Sequence, residues 1–428
     1  MKIESIDWDG TDAGGLAQRL RGATEPKPEI VASVAETIAA VRTGGVGALL
    51  EAIERFDGIR PDPILIDPDG CAAALEKIAP ALSAALERAA TNIRIVAASQ
   101  VRDDVQEVEL PEGQRVTMGE IPVAAAGIYV PGGRAPYPST ALMGVIAARE
   151  AGVPRVVIAS PPGPNGRPDT VILAAAEIAG ADGVYAMGGA QAIAALAYGV
   201  EGIDPVDVIA GPGGLYVQEA KVQVSRRVRI DGYAGPSELA VVADESVSAS
   251  WVALDLCAQA EHGADGLQVL IALSPKVRDR TVAEIERIAT EPTVTDAPLA
   301  AVVAPTIEAA IGLVNALAPE HLELACEGAA DIAAGVHSAG CVFVGAHGAT
   351  AFGDYAAGSN HVLPTGGAGR FMGPLAPATF RRRSSVVQIG PEAARKLAPA
   401  VAEIALAEGF KVHADSATAR ASDPPEKA

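Results

Sequence analysis

Four of the six histidines in this chain stand beside other groups able to move protons or bind a metal. Gln259 and His262, in DLCAQAEHGAD, are three residues apart on a stretch that reads as a helix stopped by Gly263. At that spacing they share a face, and an imidazole with an amide oxygen suits a borderline metal such as zinc, although two donors do not complete a site. Glu320 and His321 follow Pro319 in LAPEHLEL. Such a pair can divide two tasks, the imidazole taking a hydroxyl proton and the carboxylate activating a water; it can equally be an exposed pair opening a helix or strand. Asp354 and His361 lie in FGDYAAGSNHVLPTGG, where the Gly and Pro spacing predicts a shaped loop. In such a loop Asp, Asn and His can also do no more than stabilise turns. Glu408 and His413 flank Gly409 in the tail, where a lone histidine is ordinarily solvated.

The elements that must position these groups follow from hydrophobic periodicity. From Pro28 to about Arg94, apolar residues recur every three or four positions, predicting an amphipathic helical opening section. From Pro122 the pattern becomes short β-rich runs, each followed by a Gly/Pro turn and an Ala-rich helix: GIYVPGG, VVIASPPG, GVYAMGGAQAIAALA, VDVIAGPGGLYVQEAK. That alternation predicts βαβ units with parallel strands, whose carboxyl-end loops form a ligand crevice. A second series of strands starts near Glu238. The fold class is therefore α/β with two α/β units. The expected division is an N-terminal segment (1–28), a discontinuous first α/β domain (29–121 and 238–380), a second α/β domain (122–237) and a C-terminal helical arm (381–428). The turns GGAQ at 188–191 and GPGG at 211–214 could admit a dinucleotide. Neither is GxGxxG, and neither shows the clean acidic residue expected about 20 positions on.

Composition removes several function classes. A net charge of −20 repels phosphate backbones and anionic lipid, so nucleic acid and membrane surfaces are poor partners. The only tight basic run, Arg381 to Arg383, reads as a solvated face or anion contact. Four scattered cysteines without CxxC spacing read as reduced thiols in a cytoplasmic chain, and the acidic N-terminus is unlike a signal peptide. The uncharged run Gly183 to Val200 contains glycines and Gln191, and reads as strand, turn and helix rather than a membrane span.

Taken in order, GIYVPGG, GGAQAIAALAYG, AGPSE, QAEH, PEHLE, GDYAAGSNHVLPT and the terminal EGxxxH pattern closely resemble the histidinol dehydrogenase family over nearly the whole chain. The resemblance implies two Rossmann-like domains without the usual dinucleotide fingerprint, in a homodimer that 1–28 helps to form, using zinc and NAD, two NAD being reduced as an amino alcohol passes through its aldehyde to the carboxylate. It implies Gln259, His262 and Asp354 as zinc ligands, with His413 reaching in from the other subunit's tail, and Glu320 and His321 as the catalytic pair. Ser237, His361 and Glu408 match substrate contacts, joined there by the metal ligands and His321; Tyr129, Gln191 and the turn at Gly214 match NAD contacts. Two departures stand out. Gly214 replaces the family's usual Asn, and GAHGATAF before GDYAAG lacks its frequent Trp-Ser pair. These leave open a relative acting on another polar alcohol, such as a sulfonated diol; a zinc hydrolase using the same ligands is a remoter alternative.

Overall fold

The computed structural model describes residues 1–22, 27–102, 104–132, 135–233 and 235–422. The chain divides into two units, one formed by Met1–Gln100 with Val123–Phe380, the other by Val101–Pro122 with the chain from Arg381 onward.

The first unit holds two six-stranded sheets. In one, the strands Lys2–Asp7, Pro298–Val303, Leu267–Ala272, Glu238–Ala243, His321–Ala325 and Cys341–Val344 lie side by side in that order, all parallel. In the other, Leu65–Ile66, Val184–Ala186, Arg155–Ser160, Ala125–Tyr129, Val208–Ala210 and Arg229–Ile230 are parallel except for the first, which pairs antiparallel. Central strands such as ELAVVA and AAGIY are buried at every position because crossover helices cover both faces, which is why they read as continuous apolar runs. We name the sheets after their central strands, the 238 sheet and the 125 sheet.

Two expected boundaries change. The opening helices Pro28–Asp57, Pro68–Leu75 and Pro80–Gln100 pack on helices of the 125 sheet, and Leu65–Ile66 joins that sheet, so residues 29–100 belong with 122–237 and not with 238–380. Helical periodicity predicts that a segment is amphipathic without saying which sheet its apolar face will cover. The N-terminal segment opens with a strand along the edge of the 238 sheet, and Ile6, Leu16 and Ala17 pack into that sheet's core. Its residues 23–26 lie outside the described ones.

The helix Pro28–Asp57 is long and apolar enough to cross a membrane by length and composition. Here it is a packing helix, broken at Gly45, that buries Val34, Ile38, Val41, Leu49 and Ile53 against its own sheet's helices. Of the four cysteines, Cys71, Cys257 and Cys326 are buried; all four are free thiols.

The second unit is a three-stranded antiparallel sheet, in the order Arg381–Gln388, Arg115–Pro122, Gln106–Glu109, with the helices Pro391–Ala407 and Lys411–Ala421 packed on each other. The expected helical arm therefore begins with a strand, whose β-branched residues Val386 and Val387 are exposed. Arg381 is nearly buried and donates to the Glu120 carbonyl oxygen at 2.8 Å, whereas Arg383 is solvated, so the basic run is mostly an exposed strand face. The last expected residues of the arm, 423–428, lie outside the described ones.

Candidate active site

A cavity of about 580 Å³ in the first unit is lined by the carboxyl ends of the 125 sheet and the amino ends of the 238 sheet. On the first side stand Tyr129, Pro131, Pro161, Gly189 and the turn 212–214, each at or just beyond a strand's last residue. On the second stand Ser237, Gly266, Glu320 and His321, each just before or at a strand's first residue. The expected carboxyl-end crevice holds for the first sheet and is reversed for the second.

Glu320 and His321 are buried, not an exposed opening pair. The helix Ile307–Leu317 ends on Ala318 with φ 47°, and this left-handed residue with Pro319 turns the chain into the strand His321–Ala325. Glu320 Oε2 accepts from the Ser237 hydroxyl at 2.6 Å and the Glu238 N–H at 2.8 Å. His321 Nδ1 lies 3.3 Å from the Glu238 carbonyl oxygen, which can only accept, so Nδ1 carries the proton of the neutral ring. Its Nε2 then faces Asp354 Oδ1 at 3.5 Å, and the ring stacks on Phe343 with centroids 6.1 Å apart.

These neighbours set the charge states. Burial opposes a charged His321, but the Glu320 and Asp354 carboxylates outweigh it and hold the imidazolium well above the ordinary histidine value. Burial likewise opposes ionisation of Asp354, yet its hydrogen bond to His321 and the nearby positive rings hold the carboxyl below the usual range. His361 goes the other way, its burial pushing the imidazole down. Its Nε2 lies 3.2 Å from Ser139 Oγ and 3.4 Å from Thr140 Oγ1, a neutral ring between two hydroxyls on the cavity wall.

A second layer was not singled out from the sequence. Glu238, buried, is gripped by Arg21 and accepts from the Gly366 N–H at 2.9 Å, while Arg21 also caps the Leu317 carbonyl at the end of the helix before Glu320. Burial pushes the Glu238 carboxyl up, with Arg21 opposing. Glu238 was visible as the last residue of AGPSE; Arg21 lies over 200 residues away and carried no local signal.

The expected metal ligands are partly assembled. His262 and Asp354 line the cavity. The helix Ala249–Ala260 stops short of His262, which sits in the following turn, its N–H donating to the Gln259 carbonyl at 3.2 Å. Gln259 is buried near the helix end, its Nε2 without a partner, and is not among the lining residues. Among the described residues no three His, Cys, Asp or Glu side chains come close enough to enclose an ion. Glu408, capping the helix Pro391–Ala407, and His413, on Lys411–Ala421, are exposed residues of the second unit.

On the side of the glycine-rich turns, the buried Tyr129 hydroxyl accepts from the Gly189 N–H at 3.1 Å; burial pushes its pKa up to about 12. Gln191 is buried behind Gly189, outside the lining, with its Nε2 unpartnered. Gly211, at φ 120°, packs so tightly that a Cβ would lie 2.1 Å from the Tyr129 carbonyl oxygen. Its N–H donates to Asp231 Oδ2 at 2.7 Å and its carbonyl accepts from the fully buried Lys221 Nζ at 2.9 Å, while Lys221 and Asp231 pair at 2.5 Å. Asp231 is thus an acidic residue 20 positions after Gly211, which the sequence reading passed over; it serves the turn itself.

The comparisons agree with this geometry. The histidinol dehydrogenase family model matches residues 20–421. A histidinol dehydrogenase from Corynebacterium jeikeium is 40% identical over 445 residues, covering 99% of this chain and 98% of the relative. Another, from Parasynechococcus marenigrum, is 42% identical over 424 residues and 97% of each. The crystal structure of histidinol dehydrogenase from Elizabethkingia anophelis superposes with a TM-score of 0.89 at 31% identity, covering 98% of both chains. With model, relatives and structure all spanning the two sheets and the site between them, this chain belongs to the histidinol dehydrogenase family.

Proposed function

We propose that this enzyme oxidises L-histidinol through L-histidinaldehyde to L-histidine, reducing two NAD per substrate, with zinc positioning the substrate. The observation that carries the reading is the juxtaposition of a paired base and carboxylate, His321 and Glu320, with two glycine-rich strand-to-helix turns across one cavity.

The residues fit both absent groups. Gln259 through its amide oxygen, His262 through a ring nitrogen and Asp354 through its carboxylate offer the oxygen and nitrogen donors zinc accepts. When bound, the ion supplies a fixed template for the substrate's amino and imidazole nitrogens. The turns at Gly189 and Gly214 open the helices Gly189–Tyr198 and Leu215–Val224, whose free N–H groups favour a pyrophosphate. NAD, when bound, supplies the hydride acceptor.

The protein's own groups then divide the work. Once its Nε2 has lost the proton it shares with Asp354, His321 takes the alcohol proton at that nitrogen, its Nδ1–H tethered to the Glu238 carbonyl so that the ring keeps this orientation. Glu320 has committed Oε2 to Ser237 and Glu238, leaving Oε1 to activate the water that hydrates the aldehyde. His361, held neutral, contacts the substrate with Ser237.

Glu408 and His413 come from a second copy in a homodimer. The second unit exposes Val387, Ile404, Leu406, Phe410 and Val412, and the first exposes Trp251, Phe352 and Tyr355, apolar surface that a second copy would cover. Mixing His321→Ala with His413→Ala protein tests the sharing. Shared sites regain activity in the hybrid, which has one intact site; self-contained sites stay dead. The function itself is tested by NADH formed per L-histidinol consumed. Two NADH supports the four-electron oxidation, one stops at the aldehyde, and none with L-histidinol but turnover of another polar alcohol reassigns the substrate.

A further inference from the structure

Asp57 is a carboxylate placed where local structure gives it no support. It is the last residue of the helix Pro28–Asp57, beside the negative end of the helix dipole. One of its oxygens, Oδ2, is buried with no hydrogen-bond partner. No ion pair to it is found among the described residues, and burial pushes its carboxyl above the usual value. Each feature costs stability, and no ion pair among the described residues offsets it. Asp57 nevertheless lines the cavity, on the half built from glycine turns and close enough to Tyr129 to act on its charge state. Among the described residues lining that half it is the only carboxylate, the rest offering N–H groups, apolar surface or the hydroxyls of Tyr129, Tyr137, Ser139 and Thr140. A pair of neighbouring hydroxyl donors is what a solitary carboxylate accepts best, two oxygens receiving two O–H groups.

We infer that Asp57 accepts the two hydroxyls of the adenosine ribose of the bound dinucleotide and rejects a 2′-phosphate, making the enzyme selective for NAD over NADP. The inference rests on the dinucleotide reading of the cavity. Hydride must reach the His321 side, so the nicotinamide belongs there and the adenosine at the opposite, Asp57 side. A 2′-phosphate would bring two further negative charges against a half-buried carboxylate that pairs with no cation among the described residues.

The test is calorimetric titration of the full-length zinc-loaded protein with NAD and NADP, for the native chain, Asp57→Asn, Asp57→Glu and Gln191→Ala. The native protein is expected to bind NAD more tightly than NADP. Asp57→Asn should weaken NAD by about tenfold, the loss of a charge-assisted hydrogen bond, and bring NADP to near parity. Asp57→Glu, which keeps the charge, should keep the preference. If Gln191→Ala weakens NAD while Asp57→Asn leaves the NAD to NADP ratio unchanged, Asp57 has no such role and the cavity reading stands. If neither variant changes NAD binding, the cavity reading itself fails. Equal native affinity for the two dinucleotides also overturns the inference.

Discussion

The two parallel sheets of the first unit meet the same cavity with opposite ends, and the difference sorts their chemistry. Where the 125 sheet delivers its carboxyl ends, the strands Val184–Ala186 and Val208–Ala210 run through glycine-rich turns into helices, so helix N-termini and backbone N–H groups face the cavity. That edge is suited to anions and is built almost wholly from main chain. Where the 238 sheet delivers its amino ends, strands arrive from helices that have just finished, such as Ile307–Leu317 and Ala249–Ala260, so helix C-termini point toward the site. That edge is suited to cations, and the imidazolium of His321 and the proposed metal ligands gather there. One fold thus offers a pyrophosphate and a cationic centre each the helix pole that favours it.

Each half can be broken separately, and the largest effect is expected on the side-chain half. His321→Ala should lower kcat by roughly 10²- to 10⁴-fold, the usual contribution of a positioned base, with zinc content and dinucleotide affinity retained. Unchanged NADH production would remove His321 from the mechanism. His262→Ala, by contrast, should lower zinc content and activity together, read by metal analysis beside turnover.

The main-chain half should fail through stability. Lys221→Met leaves Asp231 as an uncompensated buried charge and frees the Gly211 carbonyl, a change expected to cost about 3–5 kcal/mol in urea unfolding. The survivor at low temperature should show a raised KM for NAD with kcat little changed. A stability loss below about 1 kcal/mol would mean that the turn is held by something other than the pair.

A smaller, pH-dependent effect separates the halves again. In metal-free protein His321 has a raised folded pKa, so its stabilisation is complete below the unfolded value near 6.5 and is lost as pH rises through the folded value. Asp354 has a depressed folded pKa, so its contribution is present above 3.8 and is lost as pH falls through the folded value. The metal-free enzyme should therefore lose stability in both directions from a plateau, whereas His321→Ala should lose the alkaline limb. Thermal melting across pH reads this directly, and an alkaline limb that survives the substitution would assign it to another group.

How much of this was legible follows the same division. PEHLE, GDYAAGSNH and QAEH carried the side-chain half, because proton-transfer and metal chemistry demands particular residue types that stand out in a chain with six histidines. The strand-turn-helix alternation carried the architecture of both sheets. What stayed hidden depends on long-range packing. The opening helices could have covered either sheet, Arg21 meets Glu238 across the sequence, and nothing local to Lys221 or Asp231 signals the burial that joins them to Gly211. The amino-end placement of the catalytic pair was also invisible, since periodicity reports a strand without saying which end is functional.

The smallest expected effect tests the departure at Gly214. At φ −65° this residue uses no conformation reserved for glycine, and a Cβ there would meet nothing within 4 Å, so the usual asparagine can be restored without strain. It stands on the cavity wall as the cap of the helix Leu215–Val224, with no side-chain cap of its own. Gly214→Asn should therefore add one hydrogen bond toward the dinucleotide, or to the open N–H groups of that helix, worth about 0.5–1.5 kcal/mol. The two outcomes differ in their readout. A lower KM for NAD at unchanged melting temperature places the amide on the dinucleotide, and a higher melting temperature at unchanged KM places it on the helix. An unchanged value of both would show that water already fills the role, and that the main-chain half recognises its ligand here without a side chain.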